Sequence, residues 1–118
     1  MSLIRVDNFG PSAGGTTYSA RGIAKARVSF DATTATINNS INVSSLTDNS
    51  AGNFDINFTN AYATSLSYNV TTSGGAGGIH AFGNANASYT TYRTFDKTSP
   101  ATGIDLTNNG YASFGDLA

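Results

Sequence analysis

The sequence predicts an all-β fold: a small antiparallel β-sandwich or barrel-like knob with an extended N-terminal lead-in. Three observations predict it. The residue usage is wrong for helices, because all seven acids are Asp, Glu is absent, and Lys appears only as Lys25 and Lys97; exposed helix faces normally draw on Glu, Lys, Gln and Ala. Thr, Tyr, Phe and Val, which suit a pleated surface, are used instead. Short alternating segments recur with turn residues about every ten positions, the spacing of a sandwich or barrel.

Residues 1–20 carry little pattern and form the lead-in, an attachment or trimerisation segment, with Gly10-Pro11 and Gly14-Gly15 as breakers. Residues 21–118 form a single sandwich or knob domain. In "IAKARVSFD", Ala24, Ala26, Val28 and Phe30 share one face and Lys25, Arg27, Ser29 and Asp31 the other, which predicts a half-buried strand. "ATTATINNS" carries Ile37 into a second, short strand or bend.

The most regular alternation lies in "INVSSLTDNSAGNFDINFT". Ile41 and Val43 share one face of an ascending strand. Phe54, Ile56 and Phe58 share one face of a descending strand, with Asp55, Asn57 and Thr59 opposite. Between them "DNSAG" contains Asp48, Asn49 and Gly52, and Asn and Gly tolerate left-handed backbone. A β-hairpin with a loop of three to five residues is predicted here.

"YATSLSYNVTT" predicts another strand, with Tyr62, Thr64, Leu66, Tyr68 and Val70 on one face. "SGGAGG" then breaks the pattern, and "SGGAGGIHAFGNAN" has the composition of a long Gly-rich loop. "ASYTTYRTFD" resumes the alternation, with Thr90, Tyr92 and Thr94 opposite Tyr89, Thr91, Arg93 and Phe95. "KTSPATG" predicts a loop, and "GIDLTN" and "GYASFGD" predict the last two short strands. Phe30, Phe54, Phe58 and Phe95 are the expected aromatic core.

Composition excludes several function classes. A formal charge of −1 indicates neither a nucleic-acid partner nor an anionic membrane. No apolar run approaches the ~18 residues of a membrane-spanning helix, so no membrane insertion is expected, and "MSLIRVDNFG" lacks the apolar core of a signal peptide. The absence of Cys removes disulfides, thiolate metal sites and cysteine nucleophiles together, and is compatible with folding in a reducing cytoplasm. Five Asn-X-Ser/Thr triplets, at Asn38, Asn42, Asn57, Asn69 and Asn86, are the chance product of a chain this rich in Asn, Ser and Thr. Hydrophobic residues make up 39% of the chain and much of that is Ala, so the core is lean.

Few motifs carry chemistry. His80 is the single imidazole. Three copies round a three-fold axis could hold a metal, but one His without partners is poor evidence for one, and neither a metal nor a cofactor is expected. "GGAGG" lacks the Lys-Ser or Lys-Thr and the following helix of a phosphate loop. "DNSAGNFD" lacks the ligand order of a calcium loop. The available carboxylate pairs are Asp48 with Asp55 and Asp96 with Asp105; a glycan-cleaving site needs two carboxyls ~5 to ~9 Å apart across a groove, for which a small sandwich has little room. No catalytic residue is expected.

The hairpin segment resembles one found near the C-termini of many tailed-phage fibre proteins. There a strand of the form "AWVNF" leads to "NVSSITDNGTGDYTVNFT"; here Val43-Ser44-Ser45-Leu46-Thr47-Asp48-Asn49 and Asp55-Ile56-Asn57-Phe58-Thr59 stand at the matching places. "GIAKARVSFDAT" and "GYASFGD" resemble the family's upstream strand and its closing "VAVFGD", so the likeness spans about residues 20 to 116. Two features depart from the pattern. The family segment usually ends a long fibre, whereas this chain has only a short lead, and Arg27 stands where the family has Trp.

The resemblance implies a homotrimeric, β-rich virion protein, made in the host cytoplasm, whose loops contact a bacterial surface glycan or protein and which performs no catalysis. Its other partners would be tail, baseplate or capsid proteins. The expected receptor residues are His80, Asn84, Asn86, Tyr89, Tyr92 and Arg93, since Tyr and Arg suit stacking on sugars and contact with a receptor. Leu3, Ile4, Val6 and Phe9 are the expected attachment or trimer residues. Two rival readings are a capsid decoration or head-fibre protein with no receptor chemistry, and a glycan depolymerase.

Overall fold

The computed structural model describes residues 8–9, 13–14, 18–19, 23–66, 68–74, 78–98 and 100–118. Its ten strands are β1 (Asn8–Phe9), β2 (Tyr18–Ser19), β3 (Ala26–Asp31), β4 (Thr36–Ile41), β5 (Val43–Ser50), β6 (Asn53–Phe58), β7 (Tyr68–Ser73), β8 (Ile79–Ala85), β9 (Tyr89–Phe95) and β10 (Asn109–Gly115); no helix occurs among the described residues. A first sheet has the order β4-β3-β10-β7 and a second the order β5-β6-β9-β8, and all pairings are antiparallel. Strands β1 and β2 pair as a separate two-stranded ribbon. The fold class is therefore the all-β sandwich that alternation and turn spacing predict.

The inner faces follow the period of two. Ala26, Val28 and Phe30 of β3 are buried while Arg27 and Ser29 are exposed; on β6, Phe54, Ile56 and Phe58 are buried. Asn109, Tyr111 and Ser113 of β10, and Thr90, Tyr92 and Thr94 of β9, complete the two central faces. Ile37, Leu46 and Val70 pack against this core from the flanking strands.

Tyrosine supplies the volume that aliphatic residues do not. Tyr62, Tyr68, Tyr92 and Tyr111 are all buried. At one end of the core Phe30 meets Tyr92 edge-on at 5.2 Å and Phe54 at 5.9 Å. At the other, Tyr62 stacks on Tyr68 at 4.2 Å and Phe58 meets both edge-on. Each phenol finds a partner, as burial requires: Tyr62 shares a hydrogen bond with Ser113 Oγ at 2.6 Å, Tyr68 with Thr90 Oγ1 at 2.6 Å, Tyr111 donates to Thr90 Oγ1 at 3.3 Å, and Tyr92 donates to the Ser73 carbonyl at 2.9 Å.

Six local expectations change. Phe95, expected in the aromatic core, is only partly buried, on the side of β9 that carries Tyr89 and Arg93. Ile41 and Val43 do not share a strand. Asn42 adopts φ 54° and turns the chain from the first sheet to the second, so Ile41 ends β4 exposed while Val43 opens β5 buried. Asn tolerates this conformation, and its side chain fixes it: Oδ1 accepts from the Asn60 amide at 2.7 Å and Nδ2 donates to the Asn60 carbonyl at 3.0 Å. The β5–β6 loop is also shorter than predicted. Asp48, Asn49 and Ser50 continue β5 through a bulge, leaving Ala51 and Gly52 as the turn.

Residues 62–66 do not begin β7, and Leu66 stands 94% exposed. "GIDLTN" forms only an isolated bridge, Gly103 to Phe95, before β10. Ile79–Ala85, expected within a loop, is strand β8 paired to β9, because cross-strand bonding outweighs the low strand preference of Gly83 and Asn84. Leu3, Ile4 and Val6 lie outside the described residues. Phe9 sits in β1 opposite Tyr18.

Candidate functional site

The six residues expected to meet a receptor do not form one site. Tyr92 is 1% exposed inside the core; its inward position on β9 follows from the same alternation that buries Thr90 and Thr94, so its ring is not a surface contact. His80 also faces inward, opposite Thr94. Its Nδ1 lies 2.7 Å from the Tyr92 hydroxyl, and Nε2 is buried without a hydrogen-bond partner among the described residues. A Cβ on residue 74 would collide with the imidazole, so Gly74 makes room for it. With Nε2 buried, the ring is not presented to a metal shared between neighbouring subunits.

Asn84 is exposed on β8. Asn86 organises the β8–β9 turn: its amide donates to the Tyr89 carbonyl at 2.9 Å, its Oδ1 accepts from the Ser88 amide at 3.0 Å, and its carbonyl accepts from Tyr68 at 2.7 Å. Tyr89 and Arg93 stand on the outer face of the second sheet with Thr91 between them, and Thr91 donates to Asp55 Oδ1 at 2.7 Å. Beside them Asn57 Nδ2 donates to Ser45 Oγ at 3.1 Å and Thr47 Oγ1 at 2.9 Å. This face is a polar ladder, and it contains only Tyr89 and Arg93 of the expected set.

A groove lies instead on the outer face of the first sheet. It measures about 360 Å³. Strand register defines it in two rows: Asn39, Ser29, Gly110 and Ser73 in one, and Ile41, Arg27, Ala112 and Thr71 in the next. Gly110 and Ala112 of the central strand β10 are the floor. Side chains of β3 and β4 form one wall and those of β7 the other. Arg27 Nη2 reaches Asn39 Oδ1 at 3.4 Å across the first wall. The sequence held a signal for this groove: "GYAS" alternates two small residues with Tyr111 and Ser113, and so puts a shallow strand in the middle of a sheet face.

Neither carboxylate pair is arranged as a catalytic pair, and Asp96 and Asp105 serve the backbone. Asp48 and Asp55 point to opposite faces, since Asp55 pairs with Thr47 and Asp48 with Phe54 in a period-two register. Asp96 Oδ1 accepts from the Thr98 and Thr102 amides at 3.1 and 3.0 Å and from the Thr98 hydroxyl at 2.6 Å. The Thr102 amide, then Thr98, hold the Asp96 carboxyl below its usual pKa. Asp105 Oδ1 accepts from the Gly52 amide. Among the described residues no three of His, Cys, Asp and Glu gather as they would round a metal ion.

Comparison with known proteins finds no matching family model, no matching curated protein and no matching solved structure.

Proposed function

We propose that this chain is a virion structural protein of a tailed phage, a short trimeric tail fibre or fibre-tip module that binds a glycan or protein on the host surface. The observation that carries the reading is the hairpin. The residues that resemble the phage-fibre pattern, Val43 to Asn49 and Asp55 to Thr59, fall on β5 and β6, with Thr59 just past the end of β6. The matching stretch is thus one structural unit, with Phe54, Ile56 and Phe58 closing the core and a hydroxyl–amide ladder facing outward.

The sandwich offers surfaces for self-association, as a trimer requires. Strands β4 and β5 edge the two sheets on one side, and β7 and β8 on the other. Ile41 on β4 and Ile79 and Phe82 on β8 are about half exposed. Neighbouring copies would cover these apolar side chains and the unpaired strand edges.

Light scattering at micromolar concentration, with adsorption of the purified protein to host cells, tests the reading. A trimer that adsorbs supports it. A monomer that ignores cells overturns it. A protein that coats virus particles lacking it but ignores cells is a capsid decoration instead.

A further inference from the structure

We propose that the groove on the outer face of the first sheet binds a carboxylate-bearing sugar residue, with Arg27 as the partner of the carboxylate. The setting, a host surface glycan, rests on the receptor-binding reading above. The chemistry of the groove does not.

Shape comes first. Neighbouring strands lie about 4.8 Å apart, so the walls on β3 and β7 stand on the order of 10 Å apart across β10. With only a methyl on the floor at Ala112 and no side chain at Gly110, that width admits one sugar ring seated over Ala112. Ser73 Oγ leans over Gly110, where a Cβ would collide with it; a hydroxyl thus overhangs the floor. Phe114 shares the outer face of β10, opposite Asn69 in the next row, and offers a ring beside the groove for a second sugar to stack on.

The lining then selects the ligand. Ser29, Asn39, Thr71 and Ser73 present hydroxyls and an amide, groups that both donate to and accept from sugar hydroxyls. The lining mixes these polar groups with the small apolar floor, a combination that suits a sugar, whose hydroxyls need partners, better than an apolar peptide, which would leave those groups unpaired. It is also a sheet face, so it offers no strand edge for a peptide to extend. Among the lining residues Arg27 is the one charge, and there is no carboxylate. A guanidinium has five donors in a planar fork that matches a carboxylate bidentately. The long contact to Asn39 engages one Nη2 donor and leaves the other donors of the fork for a ligand.

Titration calorimetry with the full chain tests this. The carboxylated probes are trigalacturonate and sialyllactose, the neutral ones the methyl ester of trigalacturonate and lactose, and the phosphorylated one glucose 6-phosphate. Binding of at least one carboxylated sugar is expected, with at least tenfold preference over its neutral counterpart. Arg27→Ala should weaken that binding on the order of ten- to a hundredfold, and Arg27→Lys should recover part of it. Ala112→Leu, which fills the floor, should abolish it. Thermal melting of each variant establishes that it is folded, and Arg27 is exposed, so its replacement leaves the core intact.

Absence of binding to both carboxylated sugars overturns the inference. So does equal binding of the neutral sugars, tighter binding of the phosphorylated one, or indifference to Arg27→Ala. If the protein adsorbs to host cells but takes up no carboxylated sugar, this inference fails and the receptor reading stands. If the sugars bind but the protein neither trimerises nor adsorbs, the reverse holds.

Discussion

The Gly52 amide donates to Asp105 Oδ1 at 2.7 Å and so ties the tip of the β5–β6 hairpin to a connection 53 positions later in the chain. The Gly52 carbonyl accepts from the Thr94 amide at 2.9 Å, and the Ile104 amide donates to the Thr94 carbonyl at 3.2 Å. Three segments distant in sequence thus meet at one glycine. Gly52 is buried, with φ +66°, and a Cβ there would collide with the Thr94 carbonyl.

Gly52→Ala therefore combines left-handed strain with a clash against backbone that cannot turn aside. It should destabilise the protein by more than about 2 kcal/mol. Asp105→Ala removes a charge-assisted acceptor and should cost about 1.5–3 kcal/mol. Urea melts measure both. A Gly52→Ala variant within about 0.5 kcal/mol of the parent would refute this account of the hairpin tip.

Thr90 is fully buried, and its hydroxyl contacts both Tyr68 and Tyr111. Thr90→Val keeps the shape and removes the hydroxyl. The phenol of Tyr111 is left with one partner fewer in the core, and the expected loss is about 1–3 kcal/mol. Combining Thr90→Val with Tyr111→Phe should cost less than the two changes added, because both remove the same hydrogen bond. Strict additivity in that double-mutant cycle would contradict the network.

Burial raises the pKa of Tyr62, Tyr92 and Tyr111 above the usual phenol value; hydrogen bonds to Ser113 oppose this at Tyr62 and, with Thr90, at Tyr111. A raised folded-state pKa contributes stability that is intact below about pH 10, where the unfolded phenol titrates, and that is lost as pH rises toward the folded value. Alkali should thus unfold the sandwich. Tyrosinate absorbance from these three residues should appear together with loss of the β-sheet circular dichroism. Their ionisation within an intact sheet would show that they are not held in the core.

Asp96 behaves in the opposite sense. Its carboxyl is held low, first by the Thr102 amide and then by Thr98. A depressed folded pKa contributes stability that is intact above the unfolded value near pH 4 and lost as pH falls through the folded one. Urea melts between about pH 5 and pH 2 should show a smaller acid loss for Asp96→Asn than for the parent. Equal acid slopes would place the origin of that loss at other carboxylates.

Much of the fold is legible in the alternation. Ala26, Val28 and Phe30, and Phe54, Ile56 and Phe58, occupy the inner positions that period two assigns them. Thr90, Tyr92 and Thr94 share a face as their spacing dictates. What alternation leaves open is which of two faces is the inner one when both carry mixed residues. On β9 both faces include a Tyr and a Thr, and Tyr92 becomes core because its face packs toward β10, where Tyr111 donates to Thr90 and Tyr92 reaches Asn109. The switch at Asn42 was hidden for a related reason. Ile41 and Val43 keep the period of a continuous strand, while one left-handed residue between them sends the chain to another sheet.

The amino-acid sequence by itself determined the all-β class, the spacing of most strands and turns, and the apolar faces of β3 and β6, because side-chain alternation and turn chemistry are local properties. Only the tertiary structure decided that four tyrosines are core, that β8 is a strand, and that Arg27 borders a groove floored by Gly110 and Ala112. Those outcomes depend on which strands become neighbours, and strand partnership is settled by hydrogen bonds and packing between residues far apart in the chain.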